Sequence, residues 1–122
     1  METNTTKRST EITKEYLAFL DNHIEEIVSG KQTEFKTLNQ IATELFVSHS
    51  HLSDTVQKET GNHPCYFYDS KIIDQSKNML AQNDLSIAEI SRKLTYDPSN
   101  FSKFFKKWTG TTPGEFRKHN QK

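Results

Sequence analysis

The stretch SIAEISRKLTYDPSNFSKFFKKWTGTTPGEF, residues 86–116, is the most informative part of the sequence, because the chain contains a second version of it. That version is TLNQIATELFVSHSHLSDTVQKETGNHPCYF, residues 37–67, and the two align without a gap at an offset of 49 residues. Nine of the 31 aligned positions are identical. A repeat of this quality indicates that one supersecondary unit occurs twice, as a first unit and a second unit.

Each unit is predicted to consist of two short helices joined by a short turn. Helix starts are marked by side chains that cap backbone N–H groups, in chain order Thr37 with Gln40, Ser48, Ser86 with Glu89, and Asp97 with Pro98. Helix stops are marked by Gly61 and Gly110, which are suited to a left-handed backbone. Two helices joined so closely form a helix-turn-helix.

Residues at helical spacing, nearly all of them apolar, give the helices of both units and the N-terminal helix one buried side. In the first unit these residues are Leu38, Ile41, Leu45, Leu52, Thr55 and Val56, and in the second they are Ile87, Ile90, Leu94, Phe101, Phe104 and Phe105. Before the units, Ile12, Tyr16, Phe19, Leu20, Ile24, Ile27 and Val28 share this spacing, which favours an intramolecular core over a dimer seam.

The whole chain is therefore predicted to be all-α, with two helix-turn-helix subdomains joined by a long linker helix and preceded by an N-terminal helix. The expected boundaries are a disordered tail over 1–9, an N-terminal helix and connection over 10–36, the first helix-turn-helix over 37–63, the linker helix over 64–83, and the second helix-turn-helix with a closing helix over 84–119. In the closing helix, Thr112 and Glu115 form a third capping-box pair.

Charge is distributed unevenly along a chain whose net charge is zero. Residues 86–122 hold eight Lys and Arg against three Asp and Glu, giving +5, whereas residues 37–85 hold three against six, giving −3. A basic C-terminal third supplies the charge that contact with DNA phosphates requires, although such an excess also occurs on plain solvated surfaces.

Several classes of protein do not fit the sequence. No apolar run approaches the roughly 20 residues of a membrane span, and the N-terminus lacks the apolar stretch of a secretory signal. No glycine-rich phosphate loop or nucleophile motif indicates an enzyme, and no cofactor is expected. Cys65, the single cysteine, is expected to be a buried, inert thiol in a cytoplasmic protein.

The nearest approach to a metal site is the group His49, His51, His63 and Cys65. Residues two apart on a helix point to different sides. The rings of His49 and His51 are therefore not expected to converge on one ion. We therefore expect no metal site. His49 and His51 are instead candidates for contacts to phosphates or bases, or are simply solvated.

Residues 85–118 resemble the second helix-turn-helix of the AraC/XylS family of bacterial transcription regulators. The motif residues, in their fixed order, are Ile87, Glu89, Ile90, Asp97, Ser99, Phe101, Ser102, Phe104, Phe105, Lys106, Lys107, Gly110, Pro113, Phe116 and Arg117. Leu38 to Gly61 resembles the family's first helix-turn-helix, and Lys71, Ile72, Ile73, Lys77, Met79 and Leu80 resemble its linker helix.

The resemblance implies a sequence-specific regulator that binds double-stranded DNA and places the second helix of each unit in successive major-groove segments. The base-facing residues it implies are Ser50, Ser53, Asp54, Ser99, Ser102 and Lys103. Residues expected to face phosphates are His49, His51, Asn100, Lys106 and Lys107. RNA polymerase or another transcription component is the expected protein partner, and the oligomeric state stays open.

Two positions depart from the family pattern. The family usually has Arg where this chain has Asp54, and the usual turn glycine of the second unit is replaced by Thr95. An acidic side chain is repelled by phosphates unless it accepts a hydrogen bond from a cytosine amino group. The alternative function is therefore a helical protein-interaction module that has lost specific DNA binding. The chain is expected to be either a small stand-alone regulator or a fragment of a longer one.

Overall fold

The protein is described by a computed structural model that covers residues 2–82 and 84–120, with side chains from Arg8 onward. Over these residues all regular secondary structure is helical, which confirms the all-α class. The helices are α1 Glu2–Ser29, α2 Leu38–Glu44, α3 His49–Thr60, α4 Pro64–Gln82, α5 Ile87–Lys93, α6 Pro98–Thr109 and α7 Pro113–Asn120.

The N-terminal helix is longer than the sequence pattern indicated. Residues 2–9, expected in a disordered tail, belong to α1, while Met1 lies outside the described residues. No glycine or proline interrupts the helix before Gly30, and the Arg8 guanidinium lies 3.7 Å from the Glu11 carboxylate and 3.8 Å from that of Glu15. The first of these pairs, one turn apart, supports a helix even where no apolar stripe marks it. The predicted end of the linker segment at Asn83 also lies outside the described residues.

The first helix of each unit begins at the predicted capping box. In α2, Thr37 Oγ1 accepts from the Gln40 backbone N–H at 3.1 Å, and Gln40 Oε1 accepts from the Thr37 N–H at 2.8 Å. In α5, the reciprocal bonds between Ser86 and Glu89 are 3.1 and 2.9 Å. Both pairs satisfy N–H groups that a helix start leaves without intrahelical partners.

The second helix of each unit is bounded as predicted. Ser48 Oγ accepts from the His51 N–H at 3.0 Å to start α3, and Asp97 Oδ2 accepts from the Ser99 N–H at 3.1 Å to start α6. Gly61 and Gly110 end these helices with φ of 83° and 85°. The repeat in sequence is thus a repeat in backbone structure.

The core consists of two hydrophobic clusters. The first cluster joins α1, α2, α3 and the start of α4 through Ile12, Tyr16, Leu20, Ile24, Ile41, Ala42, Leu52, Val56, Tyr68 and Ile72. The second joins the end of α4 to α5 and α6 through Ile73, Met79, Leu80, Ile90, Leu94, Phe101 and Phe105, with Phe116 of α7 packed on it. The apolar stripe of α1 therefore faces the core of its own chain.

Helix α4 connects the two clusters and is held at both ends. The Tyr16 hydroxyl donates to the Pro64 carbonyl at 2.8 Å, tying the start of α4 to α1. Near the other end, Arg117 Nε donates to the Leu80 carbonyl at 3.1 Å, tying α4 to α7.

None of the helices in the described part of the chain has the length and hydropathy of a membrane span.

Candidate nucleic-acid interface

Helix α3 buries one side and leaves the predicted base-facing residues on the other. Leu52 and Val56 are fully buried against the first cluster. Ser50 and Asp54 are exposed, and Ser53 is partly exposed. These three residues have the i, i+3, i+4 spacing of a single helix side, so the structure places them together.

Helix α6 repeats this arrangement with different chemistry. Phe101 and Phe105 are fully buried in the second cluster. Ser99 and Lys103 are exposed and Ser102 is partly exposed, at the positions equivalent to those of α3. The two outer sides therefore differ mainly where Asp54 of α3 corresponds to Lys103 of α6, a change from a negative to a positive charge.

The residues expected to face phosphates, His49, His51, Asn100, Lys106 and Lys107, are all exposed. Two of them have acidic neighbours that the sequence did not reveal. Partial burial raises the pKa of Asp69 on α4, whereas the charge of Lys107 and a side-chain hydrogen bond from Trp108 lower it. The pKa of Glu115 is lowered mainly by hydrogen bonds to Thr112, and the positive charge of Lys106 lowers it further.

The surroundings of Lys107 therefore differ from those of Lys103. Lys107 lies close enough to Asp69 for the two charges to interact, and Trp108 packs its ring 5.4 Å from that of Tyr66 on α4. The end of α6 thus packs on α4 through an aromatic pair, and the charge of Lys107 acts on the nearby Asp69 carboxyl. Of the two lysines, Lys103 is the one on the predicted base-facing side of the helix.

The expectation that Cys65 is buried is wrong, because its side chain is exposed. Cys65 lies in the first turn of α4, where the neighbouring Pro64 faces the core instead. Desolvation by nearby protein atoms, followed by the charge of Asp69, nevertheless raises the pKa of the exposed thiol, which keeps it protonated and poorly nucleophilic. His63 has a structural role here, since its Nδ1 accepts a hydrogen bond from the Cys65 N–H at 3.0 Å.

Sequence reasoning missed one buried polar residue that organises the first unit. His23 is only 1% exposed, and its Nε2 accepts a hydrogen bond from the Lys36 N–H at 3.0 Å. The ring proton therefore lies on Nδ1, which has no hydrogen-bond partner among the described residues. Burial and then the charge of Lys36 lower the pKa of His23, against smaller opposing effects of Glu26 and Glu44. Helical spacing places His23 among the apolar residues of α1, but it does not identify the Lys36 N–H as a hydrogen-bond partner.

Comparison with known proteins gives the same assignment as the motif. A family model described as a helix-turn-helix domain matches residues 41–119. The chain is also 33% identical over 108 residues to YtdP of Bacillus subtilis (strain 168), described as an uncharacterized HTH-type transcriptional regulator. The chain belongs to the AraC/XylS family of bacterial transcription regulators. The match covers 88% of this chain and 14% of YtdP, so the chain spans about one seventh of that relative.

Solved structures share the fold of this AraC/XylS chain. The C-terminal domain of AraT, a response regulator from Geobacillus stearothermophilus, matches with a TM-score of 0.79 and 25% identity, over 91% of this chain and 87% of that domain. The DNA-binding domain of AdpA, described as a global transcriptional factor and solved in complex with a target DNA, matches with a TM-score of 0.65 and 18% identity, over 80% and 91%. At that identity the AdpA likeness concerns the fold alone.

Proposed function

We propose that this chain is a sequence-specific module that binds double-stranded DNA in a transcription regulator, with α3 and α6 entering successive major-groove segments. The observation that carries the proposal is the duplication of one helix with matching exposed sides. Both α3 and α6 have a capped start, a buried apolar side, a left-handed glycine stop and polar residues at equivalent outer positions. Two such helices suit two groove segments one helical turn apart, about 10 base pairs.

The base contacts that we propose come from Ser50, Ser53 and Asp54 on α3, and from Ser99, Ser102 and Lys103 on α6. Serine hydroxyls donate to or accept from base edges, lysine donates to guanine, and a carboxylate accepts from a cytosine amino group. The chemistry of the two helices therefore favours different bases. Asp54 gives α3 a preference of its own.

The phosphate contacts that we propose also differ between the two helices. His49 and His51 lie in the first turn of α3, whose N-cap is the neutral Ser48, so the partial positive charge of the helix start is available to a phosphate. The start of α6 carries the Asp97 carboxylate, which offsets that charge. In the second unit, Lys106, Lys107 and Asn100 would therefore position the backbone of the DNA.

Affinity is proposed to reside mainly in the second unit. Its segment carries +5 and the first unit's segment −3, and binding to DNA phosphates depends on positive charge. The AdpA domain, which shares the fold, was solved with a target DNA, and this is consistent with DNA as the ligand that we propose here. We further infer that the protein is not an enzyme, acts in the cytoplasm, and contacts RNA polymerase or another transcription component.

The test begins with selection of bound duplexes from a random pool, followed by affinity measurements at several salt concentrations. Changing Lys103 and Lys106 together to Gln should weaken binding and flatten the slope of log affinity against log salt by about 0.9 for each phosphate that the variant no longer neutralises. Lys14 and Lys31, both exposed and outside the two units, provide a matched control with the same loss of charge.

The control pair changed to Gln should leave the salt slope close to that of the parent. An equal loss of affinity in both double variants would show that only net charge matters and would contradict the assigned surface. A chain without salt-dependent affinity for any duplex would instead be a helical protein-interaction module.

A further inference from the structure

The two hydrophobic clusters meet through a small set of side chains. Val28, Tyr96 and Phe104 pack against both clusters, and Phe35 packs against the first. We call these four residues the inter-unit junction. Val28 is at the end of α1, Phe35 is in the α1–α2 connection, Tyr96 is in the turn before α6, and Phe104 belongs to α6 itself. The junction thus includes a residue of α6.

Tyr96 reaches the first unit beside Phe104, and its ring contacts both α6 and the α1–α2 connection. Its ring stacks on Phe104, with centroids 5.4 Å apart and planes at 15°, and lies 6.1 Å from Phe101. The same ring lies 6.3 Å from Phe35 at 53°. One side chain therefore contacts α6 and the α1–α2 connection, and aromatic pairs at these separations are attractive.

The first-unit side of this contact is held in place. Both backbone polar groups of Lys36 are hydrogen-bonded. Its N–H donates to His23 Nε2 at 3.0 Å, and its carbonyl accepts from the Tyr68 hydroxyl at 2.8 Å. Phe35 packs edge-on against His23 at 5.9 Å and against Tyr68 at 5.8 Å. Its position is therefore determined by the core of the first unit. The residue after Lys36, Thr37, caps α2.

We propose that Tyr96 is a positioning residue, whose contact with Phe35 fixes the orientation of α6 relative to α3. This fixed orientation limits the spacing that the protein accepts between the two DNA half-sites, which are the groove segments contacted by α3 and by α6. The spacing part rests on the proposed function. One added base pair moves the second half-site by about 3.4 Å along the duplex and rotates it by about 35°, since one turn takes about 10 base pairs. A rigid pair of helices cannot follow such a displacement and still reach the bases of both half-sites.

The orientation is tested on the free protein, with residual dipolar couplings measured for the backbone N–H groups of α3 and α6. In the parent, one alignment tensor should describe both helices. In Tyr96→Leu the two helices should need separate tensors while each unit keeps its own chemical-shift pattern. Tyr96→Phe keeps the ring and should behave like the parent. Phe35→Leu removes the same aromatic pair from the other side, and it replaces Tyr96→Leu as the test variant if Tyr96→Leu does not fold.

The spacing is tested on the selected duplex and on versions with one base pair inserted or removed between the half-sites. The parent should bind each altered duplex at least about tenfold more weakly, the size of one good base contact. Tyr96→Leu and Phe35→Leu should bind them less than about threefold more weakly, while Tyr96→Phe should match the parent.

Unchanged couplings in both leucine variants would overturn the positioning role. Equal spacing penalties in the parent and the leucine variants would overturn the spacing role. Absence of specific binding by the parent would refute the proposed function together with the spacing role, whereas the couplings would still report on the junction.

Discussion

Phe46 and Thr95 occupy the same place in the two helix-turn-helix turns and share a left-handed backbone, with φ of 64° and 62°. In the second unit, the Thr95 N–H donates to the Arg92 carbonyl at 2.9 Å and the Tyr96 N–H to the Ser91 carbonyl at 2.8 Å, and the first unit has the equivalent bonds. This pattern is a Schellman motif, whose left-handed position usually holds glycine. Both units therefore form the family's turn without the residue that favours it.

Replacing Thr95 by Gly should raise the free energy of unfolding by about 0.5 to 1 kcal/mol. A left-handed backbone costs a residue with a Cβ about 1 to 2 kcal/mol, and glycine's greater freedom in the unfolded chain offsets part of that gain. Thr43, exposed within α2, is the matched control, and Thr43→Gly should lower the free energy of unfolding by about 0.3 to 0.5 kcal/mol, the difference between the two helix propensities. Urea unfolding measures both. Destabilisation by both changes would show that the turn is not strained.

Gly110 shows the opposite case, in which glycine occupies the left-handed position. Gly110→Val should cost more than about 1 kcal/mol, because a β-branched residue is disfavoured at a φ of 85°. A Cβ at this position would meet no atom within 4 Å, so the destabilisation would come from the backbone and not from a collision. Gly114 of α7, where φ is not positive, is the control, and Gly114→Ala should be neutral or stabilising. An unchanged thermal midpoint in Gly110→Val would contradict this account.

His23 should make stability depend on pH below about 6.5. Its pKa in the folded protein is lowered, mainly by burial, from the ordinary value near 6.5. The unfolded chain therefore takes up a proton first, so stability is complete above pH 6.5 and falls as the pH drops towards the folded pKa. The steepest loss is about 1.4 kcal/mol per pH unit.

His23→Gln keeps a hydrogen-bond acceptor near Nε2 but removes the titration. Its unfolding free energy should therefore change less than that of the parent between pH 5 and 7. Glu89 and Glu115 also have lowered pKa values, but they act below about 4.5 and do not affect this comparison. Parallel pH profiles for the parent and the variant would rule out His23 as the source.

Asp54 should contribute to the choice of base. If it accepts from a cytosine amino group, Asp54→Ala costs about 1 to 3 kcal/mol at the selected site and relaxes the choice at one base pair. We expect this result, because Lys103 has the same helical phase on the predicted groove side of α6. Asp74→Ala removes an exposed charge from α4 and provides the control. Binding to single-base variants of the site decides the matter, and a uniform gain on all of them would mean that Asp54 only repels phosphates.

The duplicated unit, its boundaries and the two sides of its helices were all predictable from residues that are close together in the chain. Those features depend on short-range chemistry: a side-chain oxygen three residues from an N–H, a glycine at a helix end, an apolar residue every third or fourth position. The capping boxes at Thr37 and Ser86 and the stops at Gly61 and Gly110 were predictable for that reason. The start of α1 was not, because residues 2–9 belong to the helix although they carry no apolar stripe.

The joining of the two units and the burial of particular polar groups depend on contacts between residues that are distant in the chain, and no sequence pattern predicted them. His23, Asp69 and Tyr96 are far in sequence from the residues that determine their surroundings, which are Lys36, Trp108 and Phe35. Periodicity describes one helix at a time, whereas burial and pKa depend on every group packed around a side chain. The exposure of Cys65 and the bridge formed by Tyr96 follow from how α4 and α6 pack, because that packing sets which side of each element is covered.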